Sequence, residues 1–341
     1  MNSRRDDMSA TQAPSPATEA EAPSRGIPVN LRPILVTIAI AAVVFFLAFL
    51  RTDGSGLILT QALVTGLLAG GVYGLVALGL TLIFGVLHII NFATGAFVTL
   101  GMYVTYVLSS NFGWNPYLTL IVSVPSLLLL GIAIQKFIIN RAMGESHANT
   151  LLLTLGIGLL IENTLLLLFS GNPQSVRTSQ DRVFNIFGAV ATQSRVIAFI
   201  GAMVLALALY IMLQRTPIGT AIRAVASNPT GAKLVGINTK RIYIITFALG
   251  IACAGAAGTM VSPIVSITPV AGEVFNITAF VIVVLGGLGK VLGALFGGLI
   301  VGLAEQFGGI LFPDQSNLLG VFIVFVLILF LRPQGLFSSG S

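Results

Sequence analysis

From Gly54 to Gln135 the chain runs 82 residues without a single Asp, Glu, Lys or Arg. At about 20 apolar residues per bilayer crossing, that stretch has room for three or four spans. The pattern continues along the rest of the chain, with apolar runs at about 34–50, 57–82, 91–110, 117–138, 149–169, 197–214, 241–262, 275–289, 292–310 and 317–331. These runs are continuous and rich in Leu, Ala and Gly instead of alternating at every second residue. They predict membrane-spanning helices and argue against a barrel of tilted strands. The expected fold is all-α, a polytopic transmembrane helical bundle of about 8–10 spans. The 275–289 run is short and Gly-rich, so it reads either as a full span or as a broken or re-entrant helix. Residues 1–30 are rich in Ala, Ser, Pro, Thr and Glu and read as a disordered tail, leaving 31–338 as the transmembrane domain. The run at 34–50 begins too far from the start to be a cleaved signal peptide, and reads as a retained span.

Composition fits a membrane protein: 56% of residues are hydrophobic and only 8% are charged. The net charge of +6 does not point to nucleic acid, because the basic residues sit at span ends, where they hold loops in the cytoplasm. Arg25 and Arg32 precede the first run, and Lys136 and Arg141 follow the fourth. Between Arg215 and Arg241 lie Arg215, Arg223, Lys233, Lys240 and Arg241 with no acid among them, and Lys290 and Arg332 mark two further inner ends. An even number of spans puts all of these on one side, with both termini cytoplasmic and the 170–196 connection outside. That outer connection carries Arg177 and Arg182, partly offset by Asp181. The lone cysteine, Cys253, allows no intrachain disulfide.

Several positions carry candidate chemistry. Gly66, Gly70 and Gly74 recur every fourth residue on one run, and Gly293 with Gly297 and Gly298 with Gly302 on another. Small residues at that spacing let helix backbones approach closely, for plain bundling or to line a route. Asn91-Phe92-Ala93-Thr94-Gly95 interrupts the apolar pattern, and Asn91 and Thr94 either cap a helix or unwind one at membrane depth. Glu162 and Glu305 fall inside apolar runs, where a charge is costly. They are either interfacial, with Asn163 as a partner for Glu162, or they border the outer end of a polar route. Asn228-Pro229-Thr230-Gly231-Ala232-Lys233-Leu234-Val235-Gly236 has the N-cap, first-turn Pro and C-terminal Gly of a two-turn helix on the basic loop. Gly286-Gly287-Leu288-Gly289-Lys290 approaches a phosphate-binding loop but has Val284 and Val291 where that loop needs Gly and Ser or Thr. His88 and His147 read as an interfacial and a solvated histidine. No metal site, cofactor site or catalytic constellation is evident, so the chain is not expected to be an enzyme.

Gly74 through Val86 with Ile90–Gly95, Leu151–Asn163 with Asn172-Pro173, Arg223–Asn238, Val283–Gly289 and Arg332–Phe337 together resemble the permease family of branched-chain amino acid ABC importers. The resemblance covers about residues 57–338. It implies an inner-membrane permease subunit that pairs with a second, related permease, two cytoplasmic ATPases and an external solute-binding protein. The 223–238 loop then corresponds to the helix that docks on an ATPase, with Arg223, Asn228, Pro229, Ala232, Lys233 and Gly236 as its coupling residues. Asn91, Thr94, Glu162, Asn163 and Glu305 are the expected substrate-pathway residues. The chain departs from the family in having Thr94 where His is common, Ala96 where Glu is common, and Thr230-Gly231 where an acid often follows the Asn-Pro. Urea and short-chain amide importers share the family, so those solutes stand beside branched-chain amino acids. A stand-alone secondary transporter would need several intramembrane carboxylates and has only two candidates here.

Overall fold

The computed structural model describes residues 46–142, 147–176, 182–312, 317–332 and 335–336. The expected tail, most of the run at 34–50, Arg177 and Asp181 lie outside them, and a short helical piece at 46–51 is where the description starts. Nine long helices follow, matching the other nine apolar runs. They are α1 (Gly56–Leu87), α2 (Thr94–Phe112), α3 (Leu120–Ile134, carried on to Ala142 through a π-turn), α4 (His147–Phe169), α5 (Gln193–Arg215), α8 (Thr239–Val261), α9 (Gly272–Gly286), α10 (Val291–Leu311) and α11 (Leu318–Leu331). Between α5 and α8 lie two short helices, α6 (Pro217–Ser227) and α7 (Pro229–Leu234). Six of the long helices, α1, α3, α4, α5, α8 and α10, are long and apolar enough to cross a bilayer. The molecule is a multi-pass helical membrane protein.

Burial sorts the helices into an inner and an outer set. In α1 and α8, 78% of the most apolar window is buried, against 22% in α4 and 28% in α3 and α5. The inner helices are also the glycine-rich ones. A Cβ at Gly66 would fall 2.9 Å from the Gly302 carbonyl oxygen, and one at Gly70 would fall 2.7 Å from that of Gly298. Gly74 faces Leu295, so α1 and α10 run antiparallel with backbone on backbone. Gly293 and Gly297 pack elsewhere, against Gly286 and Ile282 of α9. Gly79 meets Gly250 of α8 and Gly101 of α2 meets Gly255 of α8. Where lipid removes the hydrophobic drive between helices, such close approach lets dispersion hold them together.

The two ends of the bundle differ in kind. One carries a β-hairpin, β1 (Val183–Ile186) and β2 (Ala189–Thr192), which the hydropathy pattern did not predict. Its turn has φ of 52° at Phe187 and 86° at Gly188, the backbone pattern of a tight hairpin turn. The Gln61 amide pairs with both backbone groups of Val190, at 2.8 and 2.7 Å, tying the hairpin to α1. An isolated bridge between Gln174 and Ile267 covers the same end. The opposite end gathers Lys136, Arg141, Arg215, Arg223, Lys233, Lys240, Arg241, Lys290 and Arg332, with no Asp or Glu among the described residues there. The helix directions place the basic positions of the sequence argument together.

Candidate functional site

Between α1 and α2 the chain leaves the helical path. His88 ends α1 in the left-handed conformation (φ 56°), and residues 88–93 are non-helical. Ile89, Asn91 and Ala93 in this segment are nevertheless buried. Its level in the bundle is set by Ala93, whose Cα lies 3.5 Å from a Cβ built at Gly158, halfway along the 23-residue helix α4. Irregular backbone at that depth survives only when protein supplies its hydrogen bonds. Four side chains do so. The Asn91 Oδ1 accepts from Ala93 N at 3.2 Å, and the Thr94 hydroxyl donates to the Asn91 carbonyl at 2.8 Å. From α4, the Thr154 hydroxyl accepts from Phe92 N and lies 3.3 Å from the Ile90 carbonyl. From α9, Asn276 donates through Nδ2 to the Phe92 carbonyl at 3.0 Å and accepts from Gly95 N at 3.4 Å. Of the two readings open for Asn91–Gly95, the backbone is unwound, and Asn91 and Thr94 stabilise the unwound turn.

The short run at 275–289 is also resolved. Helix α9 covers Gly272–Gly286 and starts beside the unwound segment, Gly272 packing on the Gly95 carbonyl. At its other end Gly287 and Gly289 adopt φ of 93° and 80° in a tight connection to α10. Those glycines serve the turn, and the Leu336 N–H donates to the Leu285 carbonyl beside it. α2 and α9 therefore begin near each other in the interior.

A cavity of about 220 Å³ lies against the break, lined by Asn91, Asn276 and otherwise apolar side chains, among them Phe92, Ile277, Phe280 and Phe325. A second cavity, about 260 Å³, lies on the other side of α9 and is lined by Tyr73, Phe275, Arg195, Glu305 and Gln306. There Tyr73 and Glu305 share one wall, and Arg195 lies within electrostatic reach of both. Thr65 donates to Gln306 at 3.1 Å on the same wall. The five expected pathway residues thus divide. Asn91 and Thr94 form the break and Glu305 lines the separate cavity. Glu162 is half-buried on α4, within electrostatic reach of Glu273 at the first turn of α9. Asn163 is exposed, and its Nδ2 donates to its own helix at the Leu159 carbonyl (2.7 Å) instead of pairing with Glu162.

Thr154, Asn276, Arg195 and Glu273 escaped sequence reasoning. Thr154 and Asn276 look like ordinary polar residues inside apolar runs, and only contact with the unwound segment gives them a task.

At the basic end, three caps in succession fold the 215–241 loop. The Thr216 hydroxyl accepts from Gly219 N at 3.1 Å, Asn228 Oδ1 from Gly231 N at 2.8 Å and Asn238 Oδ1 from Arg241 N at 3.1 Å. Pro217 and Pro229 open α6 and α7, where a missing N–H costs nothing. Helix α7 ends with Gly236 at φ 86°, Ile237 N bonding the Ala232 carbonyl and Gly236 N the Lys233 carbonyl. That pair of bonds is a Schellman cap. Asn228, Pro229 and Gly236 therefore shape the helix, Ala232 is buried beneath it, and Arg223 and Lys233 are exposed. Leu234 and Val235 are 85% and 76% exposed, an apolar pair on a basic surface that the capping motif alone did not single out.

The family model for the branched-chain amino acid transport system permease component matches residues 62–331. The chain belongs to this permease family. BraD of Pseudomonas aeruginosa, a high-affinity branched-chain amino acid transport system permease protein, is 29% identical over 290 residues, 81% of this chain and 94% of the relative. LivH of Escherichia coli, with the same description, is 27% identical over 292 residues, with the same coverage. A probable branched-chain amino acid transport permease, LivH of Methanocaldococcus jannaschii, is 30% identical over 246 residues, 68% of this chain and 75% of the relative. No solved structure matches the chain. In this permease the family match spans both the unwound segment and the α6–α7 loop.

Proposed function

We propose that the chain is a transmembrane subunit of an ATP-driven importer in the inner (plasma) membrane, and that it passes branched-chain amino acids from an external solute-binding protein to the cytoplasm. The basic end faces the cytoplasm, since Lys and Arg concentrate on that side of membrane proteins. With the run at 34–50 as a first span, both termini lie there too. A second, related permease completes the channel, and two ATPases dock beneath. The unwound segment at 88–93, with Asn91 and Thr94, forms part of the substrate route, because unwound backbone at mid-membrane exposes polar groups that a continuous helix hides. Glu305 and Glu162 border its outer part.

The observation that carries this reading is helix α7, a rigidly capped helix that projects from the basic end with Leu234 and Val235 bare. It is the contact through which nucleotide binding in a partner would rock the spans. The test is Leu234→Glu with Val235→Glu, followed by co-purification of the ATPases from the host membrane. The variant is expected to reach the membrane at the parent level and to lose its ATPases and its leucine uptake. Undiminished ATPase recovery would overturn the docking role. Ala232 is the wrong residue for this test, since it is buried and a large replacement there would disturb the loop itself.

A further inference from the structure

We propose that the cavity between the unwound segment and α9 is a recognition subsite for an aliphatic amino-acid side chain, anchored by the Asn91 amide. The proposal rests on the reading that this chain passes amino acids, and it selects among the solutes that reading leaves open.

The anchor follows from hydrogen-bond accounting. Asn91 is fully buried, and Ala93 N–H fixes its amide orientation because that donor must meet the oxygen. The Nδ2 end is then the free end, and it has no partner. A buried amide nitrogen without an acceptor is costly, and buried polar groups are rarely left so. It marks where an acceptor oxygen arrives. Asn276, the other polar side chain of the cavity, already has both ends engaged by Phe92 and Gly95. Among the lining side chains the buried Asn91 nitrogen is thus the polar atom left without a partner, and none of the lining residues is charged.

The remaining wall is apolar, and it decides the ligand class. Phe92 and Phe280 stack with ring centroids 6.5 Å apart at 26°, and Ile277 and Phe325 extend the surface. At about 220 Å³ the space is smaller than the roughly 300 Å³ at which pockets for drug-sized ligands begin. It suits a small metabolite with a branched hydrocarbon part and an oxygen acceptor beside it. Urea or a short amide would satisfy Asn91 but leave the aromatic wall without contacts.

The test uses the full-length chain in nanodiscs with Cys253→Ala and a reporter at the cavity wall, Ile277→Cys. Labelling by a charged, water-soluble methanethiosulfonate is followed with L-leucine, L-valine, L-alanine or urea present. Leucine is expected to slow labelling most, with valine and alanine needing successively higher concentrations, roughly tenfold or more for each methylene lost. Urea is expected to have no effect. Adding Asn91→Leu, or Asn91→Asp, which keeps the acceptor for Ala93 N–H, is expected to abolish protection by leucine. Labelling indifferent to leucine, protection by urea, or protection that survives both Asn91 variants would overturn the proposal. So would a reporter that never reacts, since that places Ile277 against lipid. Leucine uptake by the assembled wild-type transporter is measured separately. If uptake stands and protection is absent, the subsite alone is wrong; if uptake is absent, the functional reading fails.

Discussion

The seam between α1 and α10 and the break between α1 and α2 both bring bare backbone against its surroundings inside an apolar medium, by opposite means. In the seam, Gly66, Gly70, Gly298 and Gly302 remove side chains so that two intact helices touch. In the break, the helix is given up, and Thr94, Thr154 and Asn276 supply the hydrogen bonds that it would have made for itself. The seam depends on what is missing and the break on what is present. The first is held by direct backbone packing of two helices. The second is held by side chains that come from three separate helices, α2, α4 and α9.

The comparison breaks most severely at the seam. Gly70→Val would set a Cβ 2.7 Å from the Gly298 oxygen and 2.8 Å from Leu299 Cα, both backbone. A cost at or above about 3 kcal/mol is expected, the upper part of the overpacking range, because no rotamer relieves a backbone clash. Thermal unfolding of the purified chain should show it, together with a fall in membrane level. An unchanged midpoint would mean that α1 and α10 do not touch.

Asn276→Leu tests the break. It leaves the Phe92 carbonyl and Gly95 N–H without side-chain partners, for an expected loss of about 2 kcal/mol. Unlike the seam variant, it should reach the membrane and speed hydrogen exchange locally, at residues 90–95. Exchange that rises evenly over the bundle would argue against a separately held break.

The smallest effect is expected from Asn163→Leu on the outer helix α4. Its amide bonds only its own helix, at the Leu159 carbonyl, and the side chain is exposed. A change within about 0.5 kcal/mol is expected, as for surface positions without partners. A marked fall in leucine uptake by the assembled transporter would place Asn163 on the substrate route.

The helices were legible because continuous apolar runs of span length have one structural outcome in a bilayer. The nine runs that fall within the described residues all appear as helices, with α2 starting at Thr94 instead of residue 91 and α9 shifted to Gly272–Gly286. The loop helix at Asn228–Gly236 was legible too, since caps are local and its bonds span at most five residues. The hairpin at 183–192 was not. Its buried face, Ala189 and Ala191, is small, and its tie to Gln61 crosses 129 positions.

By itself, the sequence determined that this is a helical membrane protein, which ends are basic, and that a capped helix stands on the longest basic loop. Each of these follows from local composition, spacing or capping. Tertiary structure decided what the pattern left open. It showed that Gly66 and Gly70 face Gly302 and Gly298 while Gly293 and Gly297 face α9, that Asn91–Gly95 is unwound, and that Asn276 and Thr154 hold it. It also separated Glu305 from Asn91 into different cavities and buried Ala232 while baring Leu234 and Val235. Those outcomes depend on which helix lies beside which. A glycine or a threonine carries no mark of its neighbour, so only the packed bundle assigns it one.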